Sequence, residues 1–230
     1  DSLKDFYKRD SYVDEYHVIS PYIEKDLRNL TTKPITYIPF WVNESIWFNI
    51  PDKSNLRKKY NIDEKSYLIG SFQRDTEGSD LKSPKLIKGP DRFIEIVKSK
   101  KDDIKNLKVV LTGKRRQYVI SELEKLNIDY VYLEMVTFEE LNELYNILDL
   151  YIVSSRIEGG PQAVVECGIT KTPIISTDVG FATDILSSES IFDMSNYKDA
   201  APNINHAYEK SLELSIPKGF QKFTNLIFSK

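Results

Sequence analysis

Two glutamates, Glu158 and Glu166, stand with seven residues between them, and Gly159, Gly160 and Pro161 directly follow the first. Pro161 is suited to the first turn of a helix. The glycines before it leave backbone N–H groups bare at the helix start. Uncovered amides at the positive end of a helix suit an anion or a polar sugar. Glu166 falls inside that helix, among Ala163, Val164, Val165 and Cys167. A carboxylate in such company is costly to bury unless hydroxyls or a cation pair with it. Without a ligand to explain them, Glu158 would serve the helix dipole and Glu166 a plain ion pair.

The elements that position this pair follow from the hydrophobic pattern. An apolar run at 150–153 feeds the turn, and similar short runs lie at 67–72, 107–111, 130–133 and 173–176. Between them, residues 90–100, 117–126, 138–148 and 161–169 have helical periodicity, as with Phe93, Ile94 and Val97, or Leu141, Leu144, Tyr145 and Leu148. A short helix at 181–186, an apolar stub at 191–192 and closing helices near 205–214 and 219–229 complete the pattern. Strands that are apolar throughout and alternate with amphipathic helices predict an α/β fold. The expected form is a Rossmann-like parallel sheet of about six strands with helices on both faces. Ligands of such sheets bind beyond the carboxyl ends of the strands, where the strand order reverses. The first 60 residues differ: a strand over 12–20, a helix over 21–30 and a strand over 35–40 are expected. Phe40, Trp41, Trp47 and Phe48 crowd into nine positions. They form either a plug beneath the sheet or a hinge surface toward a second domain.

Composition narrows the chemistry. The chain has 230 residues, and 32 basic against 35 acidic side chains give a net charge of −3. A broad basic field for nucleic acid is therefore not expected. The single cysteine, Cys167, points to a reducing compartment and reads as a small core residue. With two histidines, His17 and His206, far apart, a zinc site of His and Cys ligands is not expected. There is no G-x-G-x-x-G, Walker loop, G-x-S-x-G or D-x-D, and no apolar run approaches the roughly 18 residues needed to span a bilayer. The polar start without Met suggests a piece of a longer chain.

The E-x7-E spacing from Glu158 to Glu166 resembles the motif of retaining GT-B glycosyltransferases, family 4 (group 1) in particular. Three further segments resemble that family in order: Gly70-Ser71-Phe72-Gln73-Arg74, Lys88-Gly89-Pro90-Asp91 and Ser176-Thr177-Asp178-Val179-Gly180. The resemblance implies the nucleotide-sugar (donor) binding half of a GT-B fold over 35–230, with 217–230 a C-terminal helix. Residues 1–34 would be a remnant of the preceding acceptor domain and linker. It implies catalytic roles for Glu158, near the transferring carbon, and for Lys88 and Arg74, on the diphosphate. Glu166 would accept ribose hydroxyls, Gly159, Gly160 and Gln162 would face the sugar or diphosphate, and Gly70 belongs to the first-strand motif. The loop of Met135 and Val136 would hold the base.

Two carboxylates repel a diphosphate, so cations from another loop are needed. Positive groups aimed at the leaving diphosphate also stabilise the charge that grows there. Such cations can replace a metal, in keeping with the missing D-x-D, so no metal and no cofactor are expected beyond the nucleotide-diphosphate sugar itself. Arg74 and Lys88 are separated by thirteen residues, where the family has a short gap. Lys85 in the inserted loop 75–87 either shares the diphosphate or is a solvated lysine. A loop of that length is functional or disordered. The expected protein transfers a sugar from a nucleotide sugar to a carbohydrate or glycolipid acceptor held by a second domain, with retention of configuration. It would be cytoplasmic, at most peripheral to the inner membrane face, and the isolated chain would transfer little. The alternatives are a non-catalytic nucleotide-sugar-binding module of the same fold, or another GT-B-like enzyme such as an epimerase or phosphorylase.

Overall fold

A computed structural model describes residues 2–228. The chain opens with α1 (Leu3–Asp10), β1 (Tyr16–Val18), α2 (Pro21–Arg28), β2 (Ile35–Tyr37) and α3 (Lys53–Lys59). Then come β3 (Tyr67–Ser71), a hairpin of β4 (Thr76–Glu77) and β5 (Ser83–Pro84), a 3-10 turn at Leu86–Lys88, and α4 (Pro90–Lys101). Alternation follows through β6 (Leu107–Thr112), α5 (Gln117–Lys125), β7 (Asp129–Leu133), α6 (Phe138–Ile147), β8 (Leu150–Val153), α7 (Gln162–Thr170) and β9 (Ile174–Thr177). The chain closes with α8 (Ala182–Ile185), β10 (Ile191–Phe192), α9 (Ile204–Leu212) and α10 (Lys218–Phe228).

Among the described residues the main sheet has six parallel strands in the order β10-β9-β8-β3-β6-β7. Successive residues of each strand feed opposite faces. Leu68, Val110, Tyr151, Val153 and Ile174 enter one core; Ile69, Val109, Leu111, Ile152 and Ile175 enter the other. Both faces are covered, which is why these strands read as unbroken apolar runs. Phe93, Ile96 and Val97 of α4 and Val119 and Leu123 of α5 seal one face. Leu144 and Tyr145 of α6 and Val164 and Val165 of α7 seal the other. The chain builds outward from β3 through β6 to β7, then crosses back to place β8 on the other side of β3. The reversal point therefore lies between the carboxyl ends of β3 and β8.

Differences from expectation lie in the first third. The helix α1 buries no residue and is started by Ser2, whose hydroxyl accepts from the Asp5 amide; among the described residues its short stripe of Leu3, Phe6 and Tyr7 meets the chain only through Phe6, which stacks on Tyr16. Asp52 likewise caps α3, a short basic helix whose one buried side chain is Arg57. The strand expected over 12–20 is only Tyr16–Val18, and it pairs in parallel with Ile35–Tyr37 apart from the main sheet. The aromatic segment is split: Trp47 is buried in the core and Phe48 is exposed. Trp41 meets Phe220 and Phe223 of α10 edge-on or tilted, with ring centroids 4.7 and 5.2 Å away. The segment thus joins the core of one sheet face through Val42 and Trp47, with Phe40 and Ile46 packed against it, and meets α10 through Trp41. No helix among the described residues is long and apolar enough to cross a membrane.

Candidate active site

At the reversal point a cleft of about 540 Å³ opens, walled by Phe72 and Gln73 after β3, Tyr145 of α6, Tyr151 of β8 and the 158–166 segment. Glu158, Lys88, Gly160, Gln162 and Glu166 all line it. A polar hollow of about 440 Å³ lies instead at the amino ends of β6 and β7, among exposed Lys101 and Lys105. It is at the end of the sheet where such folds do not bind ligands.

Glu158 is held from two sides. Its Oε2 lies 2.5 Å from Nζ of Lys88, and its Oε1 accepts from the Ser155 hydroxyl at 2.8 Å. The turn that presents Lys88 is itself fixed: Gln73 donates from Nε2 to the Lys88 carbonyl at 2.9 Å, and Ser154 donates to the Gly89 carbonyl at 2.8 Å. Gly89 sits at φ +62° with Ser154 so close that a Cβ would stand 1.9 Å from its carbonyl oxygen. Only glycine fits there, and Pro90 then starts α4. The glycine after Lys88 is thus a geometric requirement of the turn that carries this cation.

Pro161 is the residue before α7, and the helix begins at Gln162. Among the described residues the amides of Gly159, Gly160 and Gln162 have no partner; Gly160 and Gln162 line the cleft, whereas Gly159 does not and faces Ile19 and Ile23. Gly160 is confined by aromatics: a Cβ would lie 2.7 Å from Phe181 and 3.2 Å from Phe40.

Glu166 has the hydroxyl of Tyr145 as its partner, at 2.7 Å, and no cation pairs with it among the described residues. Burial pushes its pKa from 4.5 up to about 7, against the lowering effect of the Tyr145 bond. The ion-pair alternative for Glu166 therefore does not hold. Burial and the Glu166 charge push the Cys167 thiol well above its ordinary value, and its side chain is fully enclosed, as a core residue requires.

Other expected residues lie elsewhere. Arg74 is exposed, and its Nε donates to the Thr76 carbonyl at 3.0 Å, which turns it along the hairpin rather than into the cleft. Lys85 stands at the foot of the hairpin, its amide bonded to the Asp75 carbonyl at 2.7 Å. Gly70 packs within β3, where a Cβ would collide with Leu148. Met135 is exposed, Val136 packs against the core, and neither lines the cleft. Phe138, two residues on and 68% exposed, does line it. The inserted loop is an ordered hairpin. Asp75 beneath it lies 2.7 Å from the fully buried Arg116, and Thr76 and Asp75 accept from the first amides of α5, Tyr118 and Val119. Sequence reading missed Tyr145, Gln73 and Ser155 as site residues. Tyr145 carries the stripe signal of a core residue, and nothing local marks the other two.

A family profile described as "Glycosyl transferases group 1" matches residues 52–217. An alpha-galactosylglucosyldiacylglycerol synthase of Streptococcus pneumoniae is 22% identical over 194 residues, covering 79% of this chain and 47% of that protein. The chain thus spans about half the length of the curated relative it matches. Sucrose-phosphate synthase from Thermosynechococcus elongatus superposes with a TM-score of 0.74 at 15% identity, over 94% of this chain and 58% of that one. Anabaena HepE in complex with UDP and glucose gives 0.75 at 13% identity, over 95% and 64%. At these identities the likeness is one of fold. The α/β sheet matches that of GT-B glycosyltransferase domains. With the profile covering most of the chain, the protein belongs to the group 1 glycosyltransferase family.

Proposed function

We propose that this chain is the donor-binding part of a glycosyltransferase that takes a sugar from a nucleotide-diphosphate sugar, retains its anomeric configuration and uses no metal. The observation that carries the reading is the Lys88–Glu158 contact at the strand-order reversal, with Glu166 buried behind it in the same cleft. The solved HepE complexes, with UDP and glucose or UDP-glucose, support a nucleotide-sugar ligand.

The residues divide the ligand by chemistry. Glu166, flanked by Tyr145, accepts ribose hydroxyls. Lys88 offers its ammonium to the diphosphate, and charge-assisted bonds to phosphate are strong. Glu158 then turns its acceptor oxygens to the sugar, while the amides of Gly160 and Gln162 donate toward sugar or phosphate oxygens. As the glycosidic bond to phosphate lengthens, negative charge grows on the leaving diphosphate. Lys88, released from Glu158, and the uncovered amides stabilise that charge. Arg74 and Lys85 reach the diphosphate only if the hairpin swings inward. The acceptor is a carbohydrate or glycolipid held by a second domain preceding residue 35. The name of the pneumococcal relative favours a glycolipid, and with it work at the inner membrane face from the cytoplasm. This chain alone binds donor and transfers little.

The test is a thermal-shift panel of nucleoside diphosphates and their sugars, because a ligand of the native state raises its melting temperature. A rise with one base series, lost in Glu166→Ala, supports the reading. No rise with any member of the panel overturns it.

A further inference from the structure

The segment 154–160 carries Glu158, and the segment 86–91 carries Lys88. They are joined by an arginine that touches neither. Arg156 donates from Nη1 and Nη2 to the two carboxylate oxygens of Asp91, at 2.8 and 2.6 Å. Its Nη1 also donates to the Leu86 carbonyl at 2.8 Å, and its backbone amide to the Ile87 carbonyl at 2.9 Å. Every one of these acceptors belongs to the Lys88 segment. The Asp91 carboxyl is held below its ordinary value, chiefly by these Arg156 hydrogen bonds.

Bonds to backbone also join the two segments: the Ser154 hydroxyl donates to the Gly89 carbonyl at 2.8 Å, the Ser155 hydroxyl to the Lys88 carbonyl at 3.4 Å and the Ile157 amide to the Ile87 carbonyl at 3.3 Å. Among the described residues, Arg156–Asp91 and Lys88–Glu158 are the links between the segments made by side chains at both ends; the Ile157 side chain is 65% exposed, and Gly159 and Gly160 have none. The Lys88–Glu158 contact ties the two segments, but a diphosphate and a sugar draw these two groups onto themselves. A two-pronged guanidinium–carboxylate pair fixes both distance and orientation, which a lysine cannot reproduce. The side chains of Arg156 and Asp91 are about one-third exposed, at 34% and 35%. An ion pair that accessible adds little to folding stability. Its geometry is therefore its main consequence.

We infer that Arg156 is a positioning residue: clamped to Asp91, it holds Glu158 at a fixed reach from Lys88, so that the sugar and the diphosphate of one ligand are gripped together. This rests on the reading of the cleft as a nucleotide-sugar site. The Lys88 turn keeps its own anchors on Gln73 and Ser154, so losing the clamp loosens the sugar end and spares the diphosphate end.

The experiment is calorimetric titration of the 230-residue chain with UDP, UDP-glucose, GDP and GDP-mannose. The wild type is compared with Arg156→Lys, Asp91→Asn, Glu158→Gln and the double variant R156K/E158Q. The expected result is about a tenfold loss of affinity for the sugar nucleotide in Arg156→Lys and in Asp91→Asn, with less than about a twofold change for the matching diphosphate. Melting temperatures should stay near that of the wild type. The double variant should bind no more weakly than Glu158→Gln alone, because residues acting through one another are non-additive. If both ligands weaken equally, or the double variant is additive, Arg156 does not act through Glu158 and the inference falls while the site stands. If the wild type binds none of the four ligands, the reading of the cleft falls with it.

Discussion

The hydroxyl of Tyr145 donates a 2.7 Å hydrogen bond to Oε2 of Glu166, across the gap between α6 and α7. Both side chains line the cleft. A buried carboxylate thus meets a neutral donor instead of a cation, and its pKa stays near 7. This acid of the cleft titrates where a small change of pH alters its charge.

With Glu166 on the ribose as proposed, nucleotide affinity should rise with pH through about 7, since the ionised carboxylate is the stronger acceptor for hydroxyls. Titration calorimetry with the best-binding diphosphate, from about pH 5.5 to 8.5, checks this; Glu166→Gln should be weaker and flat across the range. Stability should move the opposite way. Glu166 titrates near 7 when folded and near 4.5 when unfolded, so the native state binds more protons between those values. Its contribution therefore falls as pH rises through that window, by up to about 3 kcal/mol. Wild type minus Glu166→Gln in urea unfolding at the two ends of the window gives this difference. Tyr145→Phe removes the bond that lowers the pKa, and should carry the binding midpoint upward.

Lys88→Ala should weaken diphosphate binding by about 10- to 100-fold, the range for one hydrogen bond between charged groups. The fold should survive, since the Lys88 side chain is a quarter exposed. Calorimetry read beside circular dichroism separates the two effects.

Gly89→Ala should be severe. The added methyl group would stand 1.9 Å from the Ser154 carbonyl oxygen, at a φ of +62°. The backbone of the β8 loop must shift, at a cost of about 2 kcal/mol or more. The midpoint of urea unfolding should fall, and nucleotide binding with it, because the same loop carries Ser155 and Glu158.

Asp75→Asn should destabilise the chain by roughly 3 kcal/mol or more, by leaving the Arg116 charge buried and uncompensated. Asp75 Oδ2 and Arg116 Nε have no other partner, and both side chains are almost wholly enclosed. Hairpin 76–84 should become susceptible to proteolysis while Lys88 and Glu158 still meet, because Gln73 and Ser154 hold that turn independently. Limited proteolysis with and without nucleotide shows whether the two are separable.

The sheet and the acid pair were legible because their signals are local. Unbroken apolar runs mark strands covered on both faces, and the spacing from Glu158 to Glu166 puts a turn and one helix between them. Lys88-Gly89-Pro90 was legible for the same reason: a left-handed residue followed by a helix start leaves a short signature. What escaped depends on distant partners. Tyr145 shows the periodicity of a core residue, and only the packing of α6 on α7 reveals that its hydroxyl ends on a carboxylate 21 positions away. Arg116 sits in a basic run, Lys114-Arg115-Arg116, yet it is the largest fully buried side chain among the described residues, and its partner Asp75 comes from another loop. Arg74 follows the first strand as expected, but the hairpin's own backbone acceptor turns it aside.

The placement of β8 against β3 has a consequence for how the molecule is made. Ile69 and Gly70 register with Leu150 and Tyr151, so the two walls of the cleft are synthesised about eighty residues apart. A nascent chain that has emerged only through β7 already contains Lys88 but has nothing for it to face. Pairings this distant in sequence form slowly. Lys88 and Glu158 therefore face each other only once β8 has joined β3.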